Sequence, residues 1–374
     1  MNDKQFTEKD IELTRRSLEL AAKGIGLVSP NPLVGCVITS ESGEIVGEGT
    51  YEYDREIHAE ALALEQAQGR AKGGTAYVSL EPHDHYGRTP PCTEALINAG
   101  ISRLVCPIED PNPLVSGKGF ERLRSAGIEV LTDILSKEAS KLNERFIIWH
   151  KHKRPFVHLK LATSLDGKIS IKRSVSTALS GTEARDRVQE LRHEHDAILI
   201  GGTTASIDDP SLTDRSGKPR RKPLVRIILD NRLRIPLDSK LVETANEIPT
   251  MVFTNALDPE KVAPLTDKGV DVVQIERGAR NLGAVLHELY KREIQSVLIE
   301  GGSAVAGAFC DAELVDKITF INAPIIIGGS EAPCSIGGNG AGSIEQATRL
   351  NDISVVRLGD DIEITGYPTF GSEA

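Results

Sequence analysis

Between residues 33 and 110, short aliphatic and β-branched runs alternate with stretches whose apolar positions recur at helical spacing, an alternation that restricts the chain to α/β architectures. LVGCVIT (33–39), EIVGEGTY (44–51), GTAYVSLEP (74–82) and ISRLVCPIED (101–110) read as strands. HAEALALEQAQ (58–68) and PCTEALINAG (91–100) read as helices, the second opened by proline and closed by glycine. Ahead of them, Ile11, Leu13, Leu18, Leu20 and Ala21 recur at helical spacing within residues 8–24. Near residue 150 the texture changes. WHKHKRP (149–155) is basic and ends in proline, between an unbroken predicted helix, SKEASKLNERFIIW (136–149), and a new strand, FVHLKLATS (156–164). This predicts a domain over 1–150 and a second over 151–374.

In the second part, DAILIGG (196–202), LVRIILDN (224–231), TMVFTN (250–255), VDVVQIE (270–276) and SVLIEGG (296–302) are β-rich runs separated by helical stretches such as 182–195 and 283–293. KITFINAPIIIGG (317–329) and IEITGYPTF (362–370) add strands at the end, so a second α/β domain is expected. CSIGGNGAGS (334–343) reads as a mobile loop, and no internal repeat is present.

The net charge of −10 opposes a nucleic-acid or anionic-membrane partner, since phosphate binding needs a basic face. An aromatic share of 4% likewise opposes the stacking platforms of a polynucleotide-editing deaminase. No apolar run is long enough to span a membrane, and the first residues carry no export signal, so a cytoplasmic enzyme of a small soluble substrate is expected. Five widely spaced cysteines, Cys36, Cys92, Cys106, Cys310 and Cys334, do not form a disulfide pattern.

His58 and Glu60 fall at the start of a predicted helix, where both side chains reach one small volume. H-x-E alone is a weak signal. Zinc deaminases pair it with a later P-C-x-x-C, so that one histidine and two thiolates hold the metal while the glutamate moves protons. Cys92, after Pro90 and Pro91 at a helix head, supplies one such thiolate. Three protein ligands leave Zn²⁺ a position for water and lower that water's pKa.

NPLVGCVI (31–38), HAE (58–60), GRTPPC (87–92), DPNPLVSGKG (110–119), LKLATSLDGK (159–168), DDPSLTDR (208–215) and IEGG (299–302) together resemble, in order and across nearly the whole chain, the bifunctional riboflavin-biosynthesis deaminase/reductase of bacteria. The resemblance implies a cytidine-deaminase-like three-layer domain followed by a dihydrofolate-reductase-like α/β domain. It also implies Zn²⁺ and NADPH as cofactors, a pyrimidine ribotide as substrate, and a homo-oligomeric assembly. The implied chemistry is deamination of the aminopyrimidine, then reduction of its ribosyl group to ribityl.

One position departs from the family pattern: His83 stands where the family carries a zinc-ligating cysteine, nine residues before Cys92. Three readings follow, a His58, His83, Cys92 set, His85 in place of His83, or no metal at all; the matched position favours the first. The third would leave a monofunctional reductase beside an inactive domain. Asn31 and the Ser116, Gly117, Lys118, Gly119 turn are implied substrate contacts, backbone N–H groups and a lysine suiting a phosphate.

In the second domain the resemblance assigns NADPH to Ala162, Thr204, Asp208, Asn231 and the run Gly302, Ser303, Ala304, Val305, Ala306, Gly307, Ala308, and the ribotide to Ser176, Arg192, Leu212, Arg215 and Glu300. Ala178 replaces a family tryptophan beside the nicotinamide, which makes an active deaminase with a weakened reductase a further reading. Arg232 or Arg234 could meet a 2′-phosphate, whereas Asp230 beside them would suit the free hydroxyl of NAD.

Overall fold

The computed structural model describes residues 6–87, 89–173, 175, 177–256 and 258–371, and its packing divides into two compact units between Lys153 and Arg154. The first unit runs α1 (Glu8–Ala22), β1 (Gly35–Thr39), β2 (Ile45–Thr50), α2 (Ala59–Ala67), β3 (Thr75–Val78), α3 (Cys92–Asn98), β4 (Arg103–Cys106), α4 (Lys118–Ser125), β5 (Glu129–Thr132), α5 (Ser136–Leu142) and α6 (Glu144–His152). Its five strands lie in the order β2-β1-β3-β4-β5. β1 is antiparallel to both neighbours, and β3, β4 and β5 are parallel.

Side-chain alternation makes this unit three-layered. Cys36, Ile38, Ala76, Val78, Leu104 and Cys106 face α2, α3 and α4, while Val37, Tyr77 and Val105 between them face Leu13 and Leu20 of α1. Both faces are buried, which is why these strands read as continuous apolar runs. Glycines set the close approach of α2 to β2: a Cβ at Gly47 would lie 1.9 Å from Ala63 O and one at Gly49 2.0 Å from Ala59 O. The helix answers with Ala59, Ala63 and Ala67 on the buried side.

One expectation fails here. The helix predicted over 136–149 is broken at Asn143, whose side chain accepts from Leu33 N and donates to Leu33 O, both at 2.9 Å. The division between the units falls within the basic stretch 149–155, and α6 continues into that stretch as far as His152.

The second unit runs β6 (Phe156–Ser164), α7 (Thr182–Glu194), β7 (Ala197–Gly201), α8 (Gly202–Asp208), β8 (Val225–Leu229), α9 (Lys240–Glu243), β9 (Thr250–Thr254), α10 (Pro259–Asp267), β10 (Asp271–Gln274), α11 (Leu282–Lys291), β11 (Ser296–Ile299), α12 (Ser303–Asp311), β12 (Lys317–Ala323), β13 (Arg349–Leu358) and β14 (Asp361–Thr369). Its nine strands lie in the order β10-β9-β8-β7-β11-β6-β12-β14-β13, parallel as far as β12 and antiparallel beyond.

Here too the strands are covered on both faces. Leu199, Ile227, Phe253, Val297 and Ile299 pack with α11 and α12. Ile198, Ile200, Ile228 and Val252 pack with Ala205 of α8 and Leu265 of α10 on the other face. Neighbouring strands β7 and β11 therefore send their following helices to opposite faces, and open sheets bind ligands in the crevice at the carboxyl ends of such a strand pair. The segment 334–343, expected to be mobile, is tied to α12: Gly337 N donates to Ser303 O at 2.9 Å and Asn339 N to Asp311 Oδ2 at 2.8 Å.

Candidate active sites of the two units

His58 is the N-cap of α2 in extended conformation, which puts Glu60 in the first helical turn, 2% exposed. Cys92 opens α3 and is 4% exposed. The loop between β3 and α3 is pinned to that helix head. Thr93 N donates to His83 O at 3.3 Å, the Thr93 hydroxyl donates to Asp84, and the Tyr86 hydroxyl donates to Glu94 at 2.6 Å. His83 is thereby carried against His58, with ring centroids 4.6 Å apart. One ligand-capable atom each from His58, His83 and Cys92 lie within 4.8 Å of one another. His85 is exposed, and it is not part of this group among the described residues.

Burial first, then the neighbouring His58 and His85, hold the His83 imidazole neutral down to about pH 4. Neutral imidazole is the metal-binding form. Burial and the charge of Glu60 push the Cys92 thiol up, so a cation is needed to favour its thiolate. Glu60 Oε2 is buried with no hydrogen-bond partner among the described residues. A buried carboxylate oxygen without a partner, on a side chain whose charge reaches the Cys92 thiol, fits a site completed by a metal and its water.

Asn31 Nδ2 donates to the Tyr51 hydroxyl at 2.6 Å, and the Tyr51 ring lies 5.2 Å from the His58 ring. Tyr51, which the sequence reading did not single out, thus links Asn31 to the metal-ligand candidates. The expectation for the 116–119 turn needs correction. Gly117 N donates to Glu81 Oε2, and Gly119 N and Phe120 N to Glu81 Oε1, at 2.9, 2.9 and 3.3 Å. Glu81 is 4% exposed and also accepts from Asp110 N. An internal carboxylate, not a phosphate, takes these N–H groups, and Lys118 offers only its exposed side chain, donating to Leu114 O at 3.1 Å.

In the second unit Arg192, which the resemblance assigns to the ribotide, lies against a second residue of that set. Its guanidinium is paired with Glu300 at 2.8 Å and donates to Thr213 O at 3.0 Å. Lys160, buried on β6 and also missed, stands 3.9 Å from Glu300. Its signal was a lysine inside an apolar strand run. Arg215 is exposed, its N–H held by Gln189 Oε1 at 2.9 Å, whereas Leu212 turns its side chain into the core. Ser176 lies outside the described residues, and Ala178 is exposed.

The crevice at the carboxyl ends of β7 and β11 is lined by glycine. A Cβ at Gly201 would lie 2.9 Å from Val305 Cγ2 and one at Gly301 2.8 Å from Val305 Cβ. Gly302 faces Thr204 across the crevice, at 3.6 Å from its would-be Cβ to Thr204 Oγ1. Ala162 is half-buried at the end of β6, and Asp208 is exposed at the end of α8. Within the run assigned to the cofactor, Ser303 is half-buried and Ala304 and Ala308 are exposed. Ala306 and Gly307 instead pack inward, Gly307 directly on Gly337. Asn231 Oδ1 accepts from Ala279 N at 2.6 Å. Asp230 accepts from the N–H groups of Arg232, Arg234 and Ile235 and is 1% exposed, which turns it inward, away from a ribose hydroxyl.

A family model described as the RibD C-terminal domain matches residues 155–364, and one described as the cytidine and deoxycytidylate deaminase zinc-binding region matches residues 7–108. Over 360 residues the chain is 41% identical to the riboflavin biosynthesis protein RibD of Actinobacillus pleuropneumoniae, covering 95% of this chain and 94% of that one. The chain belongs to the RibD family. RibD of Bacillus amyloliquefaciens is 40% identical over 358 residues, 96% of each chain.

RibD structures are similar in fold. Acinetobacter baumannii RibD, form 1, gives a TM-score of 0.86 at 36% identity over 97% of this chain and 99% of that one. A diaminohydroxyphosphoribosylaminopyrimidine deaminase/5-amino-6-(5-phosphoribosylamino)uracil reductase from Thermotoga maritima gives 0.84 at 33% identity over 96% and 99%. This RibD member is therefore a bifunctional enzyme of riboflavin biosynthesis, a zinc-dependent deaminase and an NADPH-dependent reductase. Among the described residues no helix is long and apolar enough to cross a membrane.

Proposed function

We propose that the first unit, residues 1–150, removes the ring amino group of a diaminohydroxyphosphoribosylaminopyrimidine, and that the second, 151–374, reduces the resulting 5-amino-6-(5-phosphoribosylamino)uracil, the substrates named for the Thermotoga relative. His58, His83 and Cys92 hold Zn²⁺, and the observation that carries this reading is the 4.8 Å grouping of their ligand atoms beside the unpartnered Glu60 oxygen. Zinc bound there would supply a Lewis acid for activating water. Glu60 would accept a proton from water and return it to the departing amine, which leaves as ammonia while the water oxygen takes its place on the ring carbon. Its 2% exposure keeps the proton from bulk solvent. Asn31, oriented by Tyr51, contacts the pyrimidine, and Lys118 reaches the substrate phosphate with its side chain.

NADPH would supply hydride to the second unit, held at the glycine-lined crevice by Ala162, Thr204, Asp208, Asn231 and the accessible part of the 302–308 run, Gly302, Ser303, Ala304 and Ala308. Arg215 and Ser176 meet the ribotide. The Glu300 carboxylate, kept ionised by Arg192 and Lys160 against its burial, accepts from ribosyl hydroxyls. The exposed Ile353, Val355 and Val356 on edge strand β13 support self-association.

The test is stoichiometry with turnover. The purified enzyme is expected to carry one zinc per chain and to release one ammonia from the aminopyrimidine ribotide for each NADPH oxidised. Metal-free protein that oxidises NADPH with the deaminated intermediate yet releases no ammonia would leave a reductase alone.

A further inference from the structure

The second unit carries a cleft of about 500 Å³ whose lining includes Glu276, Arg277, Arg280, Asn281, Ala308 and Ala312. Neither Arg277 nor Arg280 makes a side-chain ion pair or hydrogen bond among the described residues, and both are exposed. Two unpaired guanidinium groups facing one cleft, against the single carboxylate of Glu276, leave it net positive. Such a cleft suits a dianion, because a planar guanidinium meets phosphate oxygens with two parallel charged hydrogen bonds.

Two links join this cleft to the cofactor crevice. Ala308 ends the run assigned to NADPH, and six residues of α12, about 9 Å of helix, separate it from Gly302 at the strand ends. A dinucleotide with its pyrophosphate at the glycines would reach the cleft if its adenosine end ran along α12 toward Ala308. From the other side, the turn carrying the arginines is clamped to a second cofactor residue. Asn231 Oδ1 accepts from Ala279 N at 2.6 Å, and Gly278 lies so close that a Cβ there would fall 2.0 Å from that same oxygen. The arginines on either side of Ala279 are thus held beside Asn231, a residue assigned to the cofactor just past the end of β8.

Rival groups are weaker. Asp230 is spent on loop N–H groups, and Arg234 lies beside it, Nε to Oδ1 at 3.6 Å, with Nη2 donating to Thr203 at 3.3 Å. Arg232 is exposed but does not line the cleft.

We propose that Arg277 and Arg280 bind the 2′-phosphate of NADPH and set the enzyme's preference for NADPH over NADH. The inference rests on the NADPH-dependent reduction stated above. The experiment uses the full-length enzyme, the deaminated ribotide, and 2′,5′-ADP as a competing probe against adenosine 5′-monophosphate. In R277A/R280A the KM for NADPH should rise by about 30-fold or more, as loss of charged phosphate contacts implies. Inhibition by 2′,5′-ADP should vanish, while KM for NADH, kcat and the thermal midpoint stay unchanged. R277K/R280K should recover part of the NADPH preference. Equal weakening of NADPH and NADH, or no change in either, overturns the proposal, as does a selective loss produced by R232A. A wild-type enzyme that does not distinguish the two cofactors overturns the NADPH reading itself; wild-type preference that persists in R277A/R280A overturns only the assignment to these arginines.

Discussion

Arg192 grips Glu300 with two parallel hydrogen bonds, Nε to Oε1 at 2.8 Å and Nη2 to Oε2 at 3.1 Å, with each side chain only 12% exposed. Lys160 adds a second buried cation 3.9 Å away, so one carboxylate serves two positive groups. The asymmetry predicts an order of severity. Glu300→Gln strands both cations and should cost about 3–5 kcal/mol, whereas Arg192→Met leaves Glu300 with Lys160 and should cost about 1–2 kcal/mol. Urea unfolding of the two variants checks the order, and equal losses would contradict the three-charge account.

Asp10 gives the fold a pH dependence of known sign. Burial would raise its pKa, but hydrogen bonds from Arg103 and Thr7 outweigh that and hold it at about 2, below the usual 3.8. A carboxyl with a depressed folded value contributes stability that is present above about pH 4 and is lost as pH falls toward 2. Discounted for solvent screening, the contribution is about 1 kcal/mol. Asp10→Asn should therefore be less stable than the parent at pH 7, and the gap should close by pH 2 in thermal melts.

The legible part of the molecule is the part fixed by local rules. Strand and helix order followed from alternation and from glycine and proline punctuation, since Cys36, Val37 and Ile38 each have a buried face to serve. His58, Glu60 and Cys92 were legible because spacing relative to helix starts is local. Polar groups satisfied over long sequence distances were not. Asn143 breaks a helix to bond Leu33, 110 residues away. Glu81 takes the N–H groups of a turn 36 to 39 residues on. The pairing of Arg192 with Glu300, 108 residues apart, likewise left no trace in either neighbourhood. Helix α4 drew no helix assignment from the sequence, because its glycine-bounded start hides a cap supplied by Glu81.

Gly49 tests how tightly helix α2 depends on its strand. An alanine there would put Cβ 2.0 Å from Ala59 O, the residue between His58 and Glu60, and backbone cannot yield as a flexible side chain can. Gly49→Ala should cost about 1–3 kcal/mol and displace the head of α2. Ammonia release should fall at temperatures where circular dichroism still reports folded protein, while NADPH oxidation with the deaminated intermediate is kept. Equal loss of both activities would show global unfolding instead.

His83 stands where the family resemblance implies a zinc-ligating cysteine, and the geometry predicts how substitutions there separate. The loop is tied to α3 by Thr93 N to His83 O and by the Thr93 hydroxyl to Asp84, so backbone placement survives a change of side chain. His83→Ala leaves two candidate ligands, and zinc content of the purified protein should fall from one per chain to below a tenth, as expected when one of three ligands is removed. His83→Cys restores a thiolate but with shorter reach from its Cα, so zinc should be retained and ammonia release either kept or raised. Cobalt substitution supplies a readout independent of turnover, because thiolate-to-metal absorption should strengthen in His83→Cys relative to the parent enzyme. Full zinc occupancy in His83→Ala would exclude His83 from the ligand set and return the third position to the exposed His85.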